Sequence, residues 1–333
     1  MSFEIDVLEQ QIVEYNSHLM DILLQDHTTG QNIKWATDDY SHLGRFYDAK
    51  SEIKPIQITG GSTLVIQPRA SKTNREQNRR TKNKAEVFTP SWVCNEQNNL
   101  IDEAWFGRKE VFNALIDSND ASKGWETYKR RIDFPNERGR TWQDYVDERR
   151  LEIACGEAPY LVSRYDTVSG KSIPVIERIG LLDRKLRIIN ENAKDSESWK
   201  KWVIRAYEST YGFEYQGDNV LLARENLLYT YIDNYIERFG ERPALRDTKK
   251  IATIVSWNIW QMNGITMTAP FSEHKRAEQF KLCIDALLSE DAGEENLYSI
   301  EDHTDEMPCV VMDWRSKKKE EFRSIVRGEV YGK

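Results

Sequence analysis

Apolar and polar positions alternate along the chain in stretches of two periods, 3.6 and 2. Residues 3–26 place Val7, Leu8, Ile12, Val13, Tyr15, Leu19, Met20, Ile22 and Leu23 at helical spacing, which predicts one amphipathic helix closed by Thr28-Thr29-Gly30. Residues 31–68 read as mixed, with a short strand at Thr63-Leu64-Val65-Ile66. Residues 91–150 read as mostly helical around a loop at Pro135-Asn136-Glu137-Arg138-Gly139.

From residue 151 the pattern changes. Leu151-Glu152-Ile153-Ala154-Cys155 reads as a buried strand that feeds a turn at Gly156. Helices are predicted at 173–191, through Trp202, Val203, Ile204 and Tyr207, at 218–238 and at 273–289. Strands are predicted at Thr210–Tyr215, Ile251–Asn258 and Pro308–Trp314, with another near Glu321–Val326. Alternating strands and helices with long crossovers imply an α/β fold with a parallel sheet. The division expected is an N-terminal, mainly helical region at 1–83 and an α/β domain at 84–333.

Composition narrows the class. The 333 residues are 39% hydrophobic and 31% charged, with 10 Trp, 15 Tyr and 11 Phe, too aromatic for a disordered chain. No run approaches the ~18 apolar residues that a membrane span needs, so no membrane partner is expected. The acidic start, Met1-Ser2-Phe3-Glu4-Ile5-Asp6, does not resemble a signal peptide. Cys94, Cys155, Cys283 and Cys309 are widely spaced and form no C-x-x-C pair. Reduced thiols in a cytoplasmic protein are expected, without structural zinc or any other metal. His18, His27, His42, His274 and His303 show no metal-ligand spacing.

The net charge of −8 weighs against a nucleic-acid partner until its distribution is considered. Arg69, Lys72, Arg75, Arg79, Arg80, Lys82 and Lys84 stand against one acid, Glu76. Such a block is either a solvated helix face or a segment that contacts the phosphates of DNA. Residues 290–306 are acidic and read as a solvated loop without calcium-loop spacing. Glu52-Ile53-Lys54, with Asp38 and Asp39 upstream, has the E-x-K form of a nuclease half-site in a poor strand context.

Three segments carry candidate chemistry. They are Glu86-Val87-Phe88-Thr89-Pro90 before a helix, Glu152-Ile153-Ala154-Cys155-Gly156-Glu157-Ala158-Pro159-Tyr160-Leu161 at a strand-to-turn junction, and Tyr211-Gly212-Phe213-Glu214-Tyr215 followed by Asp218–Leu228. A small-residue turn after one parallel strand lets a ligand approach the backbone, and an acid ending the next strand accepts hydrogen bonds from ribose hydroxyls. The turn lacks the G-x-G-x-x-G that cradles a pyrophosphate, which points to a nucleoside without phosphates.

Together these segments resemble the S-adenosylmethionine-dependent adenine-N6 DNA methyltransferases, particularly the modification subunits of restriction–modification systems. The first resembles that family's (E/Q)-x-F-T-P segment, the second its (D/E)-P-A-C-G-x-G-x-F-L motif, and the third its ribose-binding acid with a following A-R-x-N-L helix. The resemblance implies a Rossmann-like class I methyltransferase core that binds S-adenosylmethionine. Its cofactor contacts would be Phe88, Thr89 and Pro90, the turn residues Glu152, Ala154, Cys155 and Gly156, Glu214 with Tyr215, and Asn263 at the adenine edge. Ile153 stands where that family has Pro, and Ala158 where it has a second Gly.

The family's N-P-P-Y-type tetrapeptide, which accepts the target amino group and stacks on the flipped base, does not occur, and no two of the 9 prolines are adjacent. Two readings follow. In one the chain methylates DNA, with Asp313 as acceptor and Trp314 as stacking ring. In the other it binds the cofactor but is inactive or split, and depends on a catalytic, specificity or restriction subunit.

Overall fold

Three short strands running parallel organise the fold. The computed structural model describes residues 9–60, 65–84, 89–116, 124–272 and 306–326. Among these are eleven α-helices and seven strands, a mixed α/β class. Strands β3 (Arg150–Glu152), β4 (Thr210–Glu214) and β5 (Ile259–Gln261) form the parallel sheet in that order, with Glu152 opposite Gly212 and Glu214 opposite Gln261.

The crossovers are helical, as parallel pairing requires. Between β3 and β4 run α7 (Leu181–Asn192) and α8 (Ser196–Glu208); between β4 and β5 run α9 (Gly217–Phe239) and α10 (Leu245–Asn258). α8 starts where the Asp195 carboxylate accepts the Ser198 N–H at 2.7 Å, filling one of the donors that a helix start leaves open. α9 ends at Gly240 in the left-handed conformation, φ 73°, which glycine adopts without a Cβ clash.

Leu182, Leu186, Val203, Val220, Leu221, Leu227, Ile251 and Val255 form the core on the helix-covered side of the sheet. The same cluster contains Ile12, Leu19, Met20 and Leu23 from α1 (Glu9–Tyr15) and α2 (Ser17–Leu24), and Trp35 from the segment after them. One core therefore crosses the boundary expected at 83/84. Strand alternation sends Phe213 and Trp260 to the opposite face. There they pack with Met262, Cys309 and Val311, and with Phe322 at the start of α11 (Phe322–Val326).

Several expected elements differ. Of the helix expected over 3–26, the described part is two helices, broken at Asn16, which is in extended conformation. The α-helix expected at 173–191 starts only at Leu181, after Gly180, and the stretch before it holds a single 3-10 turn at Val175–Glu177. The expected strand Ile251–Asn258 is the end of α10, and only Ile259–Gln261 is extended. An apolar run buried on both sides has no period that separates helix from strand. Asn113–Ile116 (β1) and Gly124–Thr127 (β2) pair antiparallel inside the stretch expected to be helical. Val310–Asp313 (β6) pairs antiparallel with Lys318–Glu321 (β7), outside the parallel sheet. The strand expected near 321–326 is α11, and Val65 and Ile66 form a bend. The helix expected at 273–289, the acidic stretch up to Asp305, Cys283, His274 and His303 lie outside the described residues. No helix among the described residues is long and apolar enough to cross a membrane.

His27 gives the fold a pH dependence. Its ring stacks on Trp257 at 3.8 Å, and Nε2 lies 2.9 Å from the Ser256 hydroxyl. Burial, with Arg224 and Lys319 nearby, lowers its pKa from 6.5 to about 3. The unfolded chain therefore takes up this proton first. Stability is full above about pH 6.5 and declines as pH falls toward 3. Urea denaturation at a series of pH values, with His27→Gln beside the parent, measures this; the variant is expected to show the shallower decline.

Candidate cofactor cleft

The carboxyl ends of the parallel strands open into a cleft of about 660 Å³, within the 300–1,000 Å³ typical of small-molecule sites. Glu152 ends β3 and Glu214 ends β4, and both are buried. Between them the chain turns through Ala154, Gly156 and Ala158, with φ of 47°, 54° and 63°. Alanine accepts this region at a penalty of about 1–2 kcal/mol, so the turn's conformation is imposed by its surroundings. Those surroundings are the two carboxylates. Glu214 Oε2 accepts the Gly156 N–H at 3.0 Å, and its Oε1 accepts the N–H groups of Tyr215 and Gln216 at 2.9 and 3.1 Å. Glu152 accepts the N–H groups of Tyr160 and Leu161 at 3.4 and 3.2 Å. The Cys155 N–H returns to the Phe213 carbonyl at 2.8 Å.

Burial raises the pKa of both carboxyls, well above the usual range for Glu152. For Glu214 the N–H groups of Gln216, Gly156 and Tyr215 oppose that rise; for Glu152 those of Tyr160 and Leu161 do so. Asn98 and Asn219 also line the cleft. Their Oδ1 atoms are buried acceptors with no hydrogen-bond partner in the structure. The cleft floor thus presents the carboxyl oxygens of Glu152 and Glu214, which suit a ligand carrying hydroxyl donors. Tyr215, Ile153 and Leu151 supply apolar wall.

Of the residues predicted for the cofactor, Thr89, Glu152, Ala154, Cys155, Gly156, Glu214 and Tyr215 meet at this cleft. Pro90 caps α5 (Ser91–Phe106) beside it, and the Thr167 hydroxyl donates to the Thr89 carbonyl at 3.0 Å. Phe88 lies outside the described residues. Asn263 is not brought in: its Oδ1 accepts the N–H groups of Ile265 and Thr266 in its own turn, while Met262 and Gly264 line the cleft. Sequence reasoning missed Tyr160, Asn98 and Asn219. Tyr160 was signalled by its place in the turn segment. The two asparagines reach the cleft only through the packing of α5 and α9.

Asp313 and Trp314 are not at the cleft. Asp313 pairs with Arg149, the residue before β3, at 2.7 Å, and Trp314 Nε1 donates to Oδ1 of Asn258, the residue before β5, at 2.7 Å. Both therefore lie at the amino edge of the sheet, about 10 Å from the carboxyl edge at ~3.3 Å per residue over a three-residue strand. The expected catalytic pair stands apart from the cleft, in contacts that tie the end of β6 to the amino edge of the sheet. Asp313→Ala is accordingly expected to leave ligand binding in the cleft unchanged and to lower stability by at most about 1 kcal/mol, the scale of a partly exposed ion pair; calorimetry and thermal melting check this.

The basic segment is divided. Arg80 is 2% exposed and pairs with Asp218 at 2.9 Å and Asp39 at 2.8 Å. Lys72 Nζ lies 3.7 Å from Asp218. The Arg69 N–H donates to Glu157 Oε1 at 2.6 Å. Arg79 is half-exposed and pairs with Asp39 at 2.9 Å, while Arg75 and Lys82 are exposed on α4 (Asn74–Lys84). The Lys84 side chain lies outside the described residues. The E-x-K segment forms no site: Glu52 accepts the Asn32 N–H at 3.2 Å, and the described residues contain no cluster of three metal-ligating side chains.

No protein-family model, curated protein or solved structure matches the chain.

Proposed function

We propose that this chain is an S-adenosylmethionine-binding subunit of a DNA adenine-methylating, restriction–modification-type system, built on a Rossmann-like methyltransferase core. The observation that carries the proposal is the pair of buried carboxyls, Glu152 and Glu214, ending adjacent parallel strands on either side of a left-handed small-residue turn. The cofactor fits this donor set. Its ribose hydroxyls and ammonium group are donors, and the cleft offers the carboxyl oxygens of Glu152 and Glu214 as acceptors. Glu214 has three backbone donors on its two oxygens. That leaves about one of roughly four acceptor positions for a ribose hydroxyl. Tyr215 and Ile153 would flank the base, and Thr89 would stand at the methionine end.

Bound S-adenosylmethionine supplies a methyl group on a sulfonium, already electrophilic, so the protein's part is to orient an incoming amine. The residues expected to receive that amine, Asp313 and Trp314, stand at the far edge of the sheet. This favours the split reading, in which a partner chain supplies the base-binding group, over a self-sufficient enzyme. Calorimetric titration with S-adenosylmethionine, followed by tritium transfer to mixed-sequence DNA, tests it. Binding without transfer by the chain alone is expected. Absence of binding overturns the cofactor assignment, and transfer by the isolated chain overturns the split reading.

A further inference from the structure

The basic segment has an inward side and an outward side, and they do different work. Inward, Arg80 and Lys72 converge on Asp218, which is fully buried and also accepts the Tyr40 hydroxyl at 2.8 Å. Burial alone would raise the Asp218 carboxyl, but Arg80 and Lys72 hold it at about 2, so the pairs persist through the neutral range. Arg80 Nη2 also donates to Gln216 Oε1 at 3.1 Å, and the Gln216 N–H donates to Glu214. At the other end of the segment, Glu157 of the cofactor turn holds the Arg69 N–H and the Tyr165 hydroxyl, at 2.6 and 2.7 Å. The segment is thus fastened to both turns that form the cleft.

Outward, α4 presents Arg75, Lys82 and the half-exposed Arg79. Among the described residues, the acids at this surface are Asp39, shared between Arg79 and Arg80, and Glu76, whose carboxylate accepts from Thr73. Counting the described residues alone, cations remain in excess of these two acids.

We propose that the outer face of α4 contacts the backbone of duplex DNA through Arg75, Arg79 and Lys82, and that the buried Arg80–Asp218 and Arg69–Glu157 joints make duplex binding and cofactor binding strengthen each other. The coupling rests on the cofactor reading above. Fixing α4 on a polyanion also fixes the two turns that line the cleft, so less order remains to be imposed by the cofactor. Linkage makes the effect reciprocal.

The number of phosphates sets the salt dependence. At ~0.9 per neutralised phosphate, three contacts give a slope of log affinity against log salt of about −3, whereas all seven cations would give about −6. Fluorescence anisotropy of a labelled mixed-sequence duplex across a salt series reads this slope. The doubly substituted chain, Arg75→Glu with Lys82→Glu, changes only exposed side chains, and its thermal melt is expected to match the parent's. It is expected to bind the duplex at least about 10-fold more weakly, with a slope near −1. A slope near −6 in the parent, or unchanged affinity in the double variant, overturns the assigned face.

For the coupling, S-adenosylhomocysteine is titrated by calorimetry with and without saturating duplex. At least about 5-fold tighter binding with duplex is expected, at the low end of allosteric couplings, and the double variant should lose it. Equal affinity in both conditions overturns the coupling alone. No binding of S-adenosylhomocysteine in either condition overturns the coupling together with the cofactor reading, while the anisotropy slope still judges the DNA face.

Discussion

Replacing Gly217 with alanine is expected to destabilise the protein by about 3–5 kcal/mol, the range of severe core lesions. A Cβ at this position would stand 2.0 Å from the Lys34 carbonyl oxygen and 2.9 Å from its carbon. Both are backbone atoms, so no rotamer change relieves the overlap. The segment being pushed is tightly held. The Gly217 N–H donates to the Trp35 carbonyl at 3.0 Å, the Lys34 N–H donates to Gln261 Oε1 at 2.8 Å, and Gln261 Nε2 returns to the Lys34 carbonyl at 2.7 Å. Displacing it strains three hydrogen bonds, at roughly 1 kcal/mol each, and loosens Trp35, which has no exposed surface. Thermal and urea melts of Gly217→Ala should show the loss. Gly124→Ala is the control, because a Cβ there meets nothing within 4 Å, and its stability should stay within about 0.5 kcal/mol of the parent. Equal stability of the two variants would mean that residues 34–35 do not dock on the start of α9.

Replacing Glu214 with alanine is expected to weaken S-adenosylmethionine binding at least about 100-fold. The side chain acts twice. Directly, one charge-assisted hydrogen bond to a ribose hydroxyl contributes about 1.5–3 kcal/mol. Indirectly, its oxygens hold the N–H groups of Gly156, Tyr215 and Gln216, which fix both turns that bound the cleft. Glu214→Gln separates these contributions. Its Oε1 still accepts backbone N–H groups, whereas the charge is gone, so affinity should fall between those of the parent and the alanine variant. Calorimetry gives the affinities, and circular dichroism with melting shows whether the fold persists. Alanine-variant affinity equal to that of the parent would remove Glu214 from the cofactor site and with it the main support of the functional proposal.

Acid stability and cofactor binding draw on different groups. His27 sits where α2 meets α10 and does not line the cleft, so the stability lost as pH falls from 6.5 toward 3 comes from a group outside the site. Glu152 and Glu214 line the cleft, and burial raises both carboxyls, so a cationic ligand there is expected to bind better once their protons are lost.

The residues that end parallel strands were legible from sequence, because their chemistry is local. Thr210–Glu214 forms as a strand ending in Glu214, whereas the buried strand expected at Leu151–Cys155 forms only as Arg150–Glu152, with Leu151 exposed and Ile153 and Ala154 already in the turn. The 218–238 helix was equally legible and forms over Gly217–Phe239. The small residues of the 153–158 stretch announced a turn. Its left-handed alanines were not announced, since φ of 47° and 63° runs against alanine's own preference and arises in a turn whose neighbours Gly156, Tyr160 and Leu161 are held by Glu214 and Glu152.

Other features depend on what stands opposite, which sequence does not record. Ile251–Asn258 could be a strand or a buried helix until the packing of α10 against α2 and α9 decided for the helix. Asp313-Trp314 had the composition of an active pair, and its position at the amino edge of the sheet was decided by Arg149 and Asn258, more than 50 residues away in each case. The basic block from Arg69 to Lys84 was plain in the sequence, but its division was not. Local spacing determines that seven cations gather there. Only the tertiary arrangement, which brings the buried Asp218 under Arg80 and Lys72, decides which of them neutralise the protein's own acids and which remain at the surface, because a desolvated carboxylate takes the nearest cations for itself.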